Sequence, residues 1–266
     1  MKWHVNGYAN DGVIRHLANS DAWKMFDSKH LEFSYDPHNV KLGLAAYGFN
    51  LFRIMSTSHS TWLVILVPYN LPPWLCMKRS FLILSLVILG PTLPGIAIDV
   101  YLQLLVEELK ELWDVGVQAY DASSKEIFQL CAALMWTIND FSAYANLSGW
   151  STKGGLACPF CAMETDSRYL KNGHKFCYIE HRRWLDVDHD FQKEGMLFDG
   201  SNDTQSAPIP LVALDIILDT EHLVGHCLGR KCQLAYNKRK RGEADQSGWK
   251  KRIIFFTLPY WEDHKL

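Results

Sequence analysis

The chain has 266 residues, 48% of them hydrophobic and 21% charged, with a formal net charge of -2. That composition is globular and allows a sizeable core, which excludes a disordered or fibrous protein. The near-neutral balance excludes uniform attraction to nucleic acid, so any such contact must use local patches.

No apolar stretch of the kind a secretory leader needs follows Met1. Residues 1–39 are polar and rich in His, Asp and Asn. Asn19-Ser20-Asp21 can cap a short helix through Ala22–Phe26. His4, His16, His30 and His38 have no close partner at metal-ligand spacing and read as surface histidines. Val40–Ala46 alternates as a strand and ends at the turn-forming cluster Tyr47-Gly-Phe-Asn50. Thr61–Pro68 is a second strand, β-branched and aromatic, stopped by its proline. Phe81–Leu89 is a third, too short to cross a bilayer, so no membrane partner is expected.

A helix is predicted from about Ile98 to Val115. Ile98, Tyr101, Leu102, Leu105, Leu109, Leu112 and Trp113 share one face, and Glu107, Glu108, Lys110 and Glu111 form a solvated one. Ile127–Phe141 reads as one long fourth strand, central and covered on both faces. Its end carries Asp140, either a helix N-cap or an acid placed to hold a catalytic metal. A short helix follows near Ala143–Leu147.

From Cys158 the character changes. Cys158, Cys161, His174, Cys177, His181 and His189 lie among many Arg, Lys and Tyr. A region this polar needs a staple, and zinc on the Cys158-Pro-Phe-Cys161 pair would supply it. Free cysteines in a hydrophobic pocket are the alternative. Lys238-Arg239-Lys240-Arg241 suits nuclear import, phosphate contact or simply a solvated loop. Ile253–Leu258 is strand-like and ends at Pro259. The seven cysteines, odd in number, point to reduced thiols in the nucleus or cytosol.

Three strands, a helix and a fourth strand open a ribonuclease-H-like α/β fold with a mixed sheet. There the first and fourth strands lie side by side, and acids at their ends share divalent ions for phosphoryl transfer. On the residues, the chain resembles the transposases of plant CACTA-type (En/Spm-like) DNA transposons. The resemblance rests on Asp11-Gly-Val-Ile-Arg-His16, Gly48-Phe-Asn50, Met55-Ser-Thr-Ser-His-Ser-Thr-Trp62 and Leu66-Val-Pro-Tyr-Asn-Leu-Pro-Pro-Trp74. It continues through Thr137-Ile-Asn-Asp-Phe141, Leu147-Ser-Gly-Trp-Ser-Thr-Lys153, His181-Arg-Arg183 and Phe255-Phe-Thr-Leu-Pro-Tyr-Trp261.

The resemblance implies DNA cleavage and joining by an acid triad with Mg²⁺ or Mn²⁺, and DNA as partner. Carried over, the first acid falls on Tyr47, a neutral phenol that brings no charge to a hard cation. The second is Asp140. The third is expected beyond the Pro-Tyr-Trp segment, where another transposase chain could supply it. Asp99 is better suited to favouring the predicted helix N-terminus by charge. The resemblance also implies a zinc set of Cys158, Cys161, His181 and His189; Cys177, four residues before His181, is the rival ligand. As a binding module the chain would contact DNA phosphates through Arg182, Arg183 and Lys238–Arg241. The expected organisation is a polar segment 1–39, an incomplete ribonuclease-H-like core 40–157, a zinc insertion 158–192 and a basic linker segment 193–266. The implied protein is nuclear and truncated, and inactive because Tyr47 replaces an acid. A zinc-stapled binding module or a non-functional remnant are the other readings.

Overall fold

Val40–Phe49 is a ten-residue strand, β1, whose first eight residues are all apolar except Lys41 and Tyr47. It pairs antiparallel with β2, Ser60–Pro68, which pairs antiparallel with β3, Ile83–Gly90. In this computed structural model the described residues are 2–7, 13–52, 59–198, 200–202, 205–224, 228–229 and 248–261. They fall into two compact units, one of described residues up to 147 with 228–229 and 253–261, the other of described residues 148–224 with 248–252.

The first unit begins with short helices α1 (Trp3–Asn6), α2 (Asp21–Lys29) and α3 (Leu31–Tyr35). Ser20 caps α2, its hydroxyl accepting from Trp23 N at 3.3 Å, as the Asn-Ser-Asp run predicts. One-turn α4 (Pro73–Cys76) joins β2 to β3, and α5 (Ile98–Asp114) follows. On α5, Ile98, Leu102, Leu105, Val106 and Leu109 are buried, and Glu107, Glu108 and Glu111 are exposed. Tyr101 departs from the predicted apolar face and is exposed.

The apolar run before Asp140 is not one central strand. A hairpin of β4 (Val117–Asp121) and β5 (Glu126–Leu130) ends at Leu130, and β6 (Ala132–Asn139) starts two residues later. The sheet order is β3-β2-β1-β6, so β6 lies at an edge, parallel to β1. A largely apolar run cannot show such a break, because β5 carries apolar residues without burying them while β6 buries its own. The hairpin turn is set locally. Asp121 Oδ1 accepts from Ser123 N at 2.8 Å and Ser123 Oγ at 2.7 Å, an Asx turn. After β6 comes α6, Phe141–Ser148.

One core cluster joins Leu42, Leu44, Trp62, Val64 and Ile88 of the sheet to the α5 face and to Ile254, Phe255 and Tyr260. Residues 254–257 form a 3₁₀ turn there, not the predicted strand. Tyr260 is fully buried, and its oxygen accepts from Leu134 N at 2.7 Å. A second cluster collects Trp23, Val67, Tyr69, Leu71 and Cys76. Gly43 lets the Tyr69 ring lie against β1, since a Cβ there would stand 2.4 Å from the ring. Contrary to the sequence expectation, His4 and His16 are buried. His16 packs edge-on to Trp3, and desolvation lowers its pKa.

Lys41 is 3% exposed. Its ammonium pairs with Asp27 Oδ1 at 2.5 Å and sits 4.1 Å from the centre of the Trp23 ring. Burial lowers its pKa, and the Asp27 charge opposes that shift. A buried cation held by one carboxylate and an aromatic face ties α2 to β1.

Two buried asparagines align the strand ends. Asn39 Nδ2 donates to Phe33 O at 2.7 Å, and its Oδ1 accepts from Cys131 N at 2.9 Å. Asn70 Nδ2 donates to Asn39 O and its Oδ1 accepts from Lys41 N, both at 2.7 Å. One side chain thus sets where β6 begins beside β1. Asn39→Ala should cost about 2–3 kcal/mol by leaving buried groups unpaired, lowering the urea midpoint with an unchanged m-value. Asn39→Asp, which sets a buried oxygen against the Phe33 carbonyl in place of the donor, should lose at least as much; equal stability of wild type and the alanine variant would remove this role.

Candidate functional site

The parallel pairing of β1 and β6 runs from Val40↔Ala132 to Ala46↔Asn139. The next residues on the two strands are Tyr47 and Asp140. The two positions that sequence reasoning singled out therefore each follow the last paired residue of the parallel seam, Tyr47 within β1 and Asp140 just past the end of β6. Tyr47 is 56% exposed, its ring stacked on Phe49 at 6.1 Å between centres. Asp140 is exposed, and its Oδ1 accepts from Ala143 N at 2.6 Å. It is the N-cap of α6 by geometry. Beside it, Asn139 Oδ1 is buried with no hydrogen-bond partner. Asp99 is buried in the first turn of α5.

This pair does not fit a two-metal centre. Hard divalent ions need carboxylate oxygens; Tyr47 offers a phenol, and Asp140 commits one oxygen to the helix. Among the described residues, no three His, Cys, Asp or Glu side chains are grouped to hold an ion.

The second unit has a different local chemistry. Cys158-Pro-Phe-Cys161 folds into a tight turn in which Cys161 N donates to Cys158 Sγ at 3.4 Å and Ala162 N donates to Cys158 O at 3.0 Å. Ala162 follows with φ of 46°. A non-glycine residue held in the left-handed region marks a backbone shaped by its surroundings. His181 begins a 3₁₀ turn, and Glu180 before it also has positive φ, 61°. Cys158, Cys161 and His181 line one pocket of about 380 Å³ with Phe160, Tyr178 and Trp184. The thiol pair and this imidazole are donor types that zinc takes.

The other proposed ligands lie elsewhere. His189 caps the one-turn helix α7 (Asp190–Lys193), its Nδ1 accepting from Phe191 N at 3.2 Å. Cys177 is exposed and not on the pocket wall. Arg183 is 6% exposed; it lines the same pocket and donates to Glu164 O at 2.8 Å, while its Nε has no partner. Burial pushes the Cys161 thiol up, and the Arg183 guanidinium beside it pulls the other way. Arg182 lies over the Phe198 ring at 4.4 Å and donates to Ser201 O at 3.2 Å. Lys238, Arg239, Lys240 and Arg241 lie outside the described residues.

The rest of this unit is a small core. Trp150 meets Trp249 edge-on at 4.9 Å and donates to Leu156 O at 2.8 Å. Helix α8 (Ala213–Asp219) contributes Ala213 and Ile216. Sequence reasoning missed a hairpin of β7 (Ser167–Leu170) and β8 (Lys175–Tyr178). Its signal was Asn172-Gly173 between two short alternating runs.

A family model described as transposase family tnp2 matches residues 11–223, most of the chain, and the chain belongs to that family. No curated protein and no solved structure matches it. Among the described residues no helix is long and apolar enough to cross a membrane.

The capping role of Asp140 is separable from any role in chemistry. Asp140→Ala should cost about 1 kcal/mol of stability, and Asp140→Asn only a few tenths, because asparagine also caps. Thermal melts of both variants test this; an equal loss in the two would mean that the carboxylate charge, not the cap, carries the effect.

Proposed function

We propose that this chain is a DNA-binding derivative of a plant CACTA-type (En/Spm-like) transposase, with a ribonuclease-H-like core that no longer cuts DNA. Membership of the tnp2 family supports the link to transposition and to DNA. The observation that carries the loss of cutting is that Tyr47 and Asp140 each follow the last paired residue of the parallel β1–β6 seam. Two-metal phosphoryl transfer needs ions shared between carboxylates at such strand ends, to stabilise the attacking and leaving oxygens. A phenol beside a helix-capping carboxylate leaves too little charge for that. The order β3-β2-β1-β6 with a parallel β1–β6 pair is the arrangement such a core requires. Reduced thiols and the Lys238–Arg241 run favour action in the nucleus.

We further propose that zinc cross-links the second unit through Cys158 and Cys161, drawing in His181 and His189 on binding. The metal would supply cross-linking and no chemistry. The support is the cysteine turn, with its N–H aimed at a sulfur, and a core too small to dispense with a staple.

Purified protein with Mg²⁺ or Mn²⁺ should leave a supercoiled plasmid carrying transposon ends intact. Metal-dependent nicking that Asp140→Ala abolishes would refute the inactive reading. Tyr47→Asp is the informative gain-of-charge variant, and is expected to bind Mn²⁺ more tightly than wild type in a calorimetric titration. For zinc, about one ion per chain by elemental analysis is expected, with a thermal transition that falls on chelation and recovers on zinc addition. A metal-free protein that melts identically with chelator would end the zinc proposal.

A further inference from the structure

We propose that the β7–β8 ribbon is a contact surface for duplex DNA, engaging the phosphate backbone through Arg168, Lys171 and Lys175; this rests on the DNA-binding reading above. The register Ser167↔Tyr178, Arg168↔Cys177, Tyr169↔Phe176 and Leu170↔Lys175 divides the ribbon into two faces, because side chains alternate along each strand. One face carries Ser167, Tyr169, Phe176 and Tyr178. The other carries Arg168, Leu170, Lys175 and Cys177, with Lys171 in the turn.

The aromatic face is turned toward the chain's own backbone. Tyr178 Oη donates to Gly154 O at 2.9 Å. A Cβ on Gly155 would stand 3.0 Å from Ser167 Oγ and 3.5 Å from the Phe176 ring, so glycine there admits the close approach. The basic face is left outward. Every residue from Arg168 to Tyr178 is exposed. From Ser167 to Tyr178 the sequence contains Arg168, Lys171 and Lys175 and no acid. Among the described residues none of these three cations forms an ion pair.

Glu164, Asp166 and Glu180 lie outside the ribbon, at its base. Like charges held together without carboxylate partners repel, and a polyanion relieves that repulsion. A two-stranded ribbon is also of a size that the major groove of a duplex admits. Arg182 and Arg183 hydrogen-bond to backbone carbonyls, which fixes their side chains without removing their charge; the ribbon adds three exposed cations that form no ion pair among the described residues.

The test is duplex DNA binding by the full chain across a salt series, comparing wild type with the Arg168→Ala, Lys171→Ala, Lys175→Ala triple variant. Each phosphate contact removed should lower the log–log salt slope by about 1, so the triple variant should lose about 3. Low-salt affinity should drop about tenfold or more, with an unchanged circular dichroism melt, since the replaced side chains are exposed. The charge-preserving Arg168→Lys, Lys171→Arg, Lys175→Arg variant should keep the slope. Independently of any variant, DNA should slow maleimide labelling of Cys177 in wild type, read by peptide mass.

Wild type that binds DNA while the triple variant keeps its slope would overturn the ribbon and leave the DNA-binding reading standing. Unprotected Cys177 in a saturated complex would do the same. Wild type that fails to bind duplex DNA at low salt would overturn the DNA-binding reading and the ribbon with it.

Discussion

The parallel seam between β1 and β6 is the constraint on which the first unit depends. A parallel pair cannot be closed by a tight turn, so its alignment must come from contacts distant in sequence. Here Asn39 supplies one. Its carboxamide takes Phe33 O on one side and Cys131 N on the other, separated by 92 positions from Asn39. Asn70 locks the same corner from the end of β2. Buried amides with all these partners are costly to shift, because any other register would leave polar groups dry and unpaired. That Tyr47 and Asp140 each follow the last pair of the seam is a consequence of this corner.

Lys41 shows how the same unit handles charge. A lysine at the second position of β1 points into the space between the sheet and α2, where it would be prohibitive alone. Asp27 and the Trp23 face make it tolerable. The result is a polar rivet that joins helix to strand at one place, beside the apolar clusters that hold them together generally.

The second unit is organised on less apolar surface. Trp150, Trp249, Ile216 and Leu223 are among its few large buried side chains. Much of its order comes from turns: the cysteine turn at 158–162, the 3₁₀ turn at His181–Trp184 and the ribbon over Gly154 and Gly155. Non-glycine residues with positive φ occur at each of these, at Ala162, Glu180 and, in the ribbon's turn, His174. A cross-linking metal and a surface committed to a polyanion are both natural additions to a unit of this kind, since neither relies on a deep core.

The sequence by itself determined the elements whose periodicity is local and the family to which the chain belongs. The strands near 40–46, 61–68 and 81–89, the helix near 98–115 and the Ser20 cap were legible there, because alternation, 3.6-residue spacing and capping are properties of neighbouring residues; β1 nevertheless runs on to Phe49 through the cluster that reads as a turn. The pairing of Cys158 with Cys161 was legible for the same reason. Only the tertiary structure decided where the apolar run 127–141 breaks, because an exposed apolar strand and a buried one leave the same apolar signature. It alone decided that His16 and Arg183 are interior, since burial of a polar side chain depends on partners such as the Glu164 carbonyl, 19 residues from Arg183. It left His189 off the wall of the pocket that Cys158, Cys161 and His181 line, and it set the Tyr178 hydroxyl against the Gly154 carbonyl. Each of these is a distance between residues far apart in the chain, and no local pattern encodes such a distance.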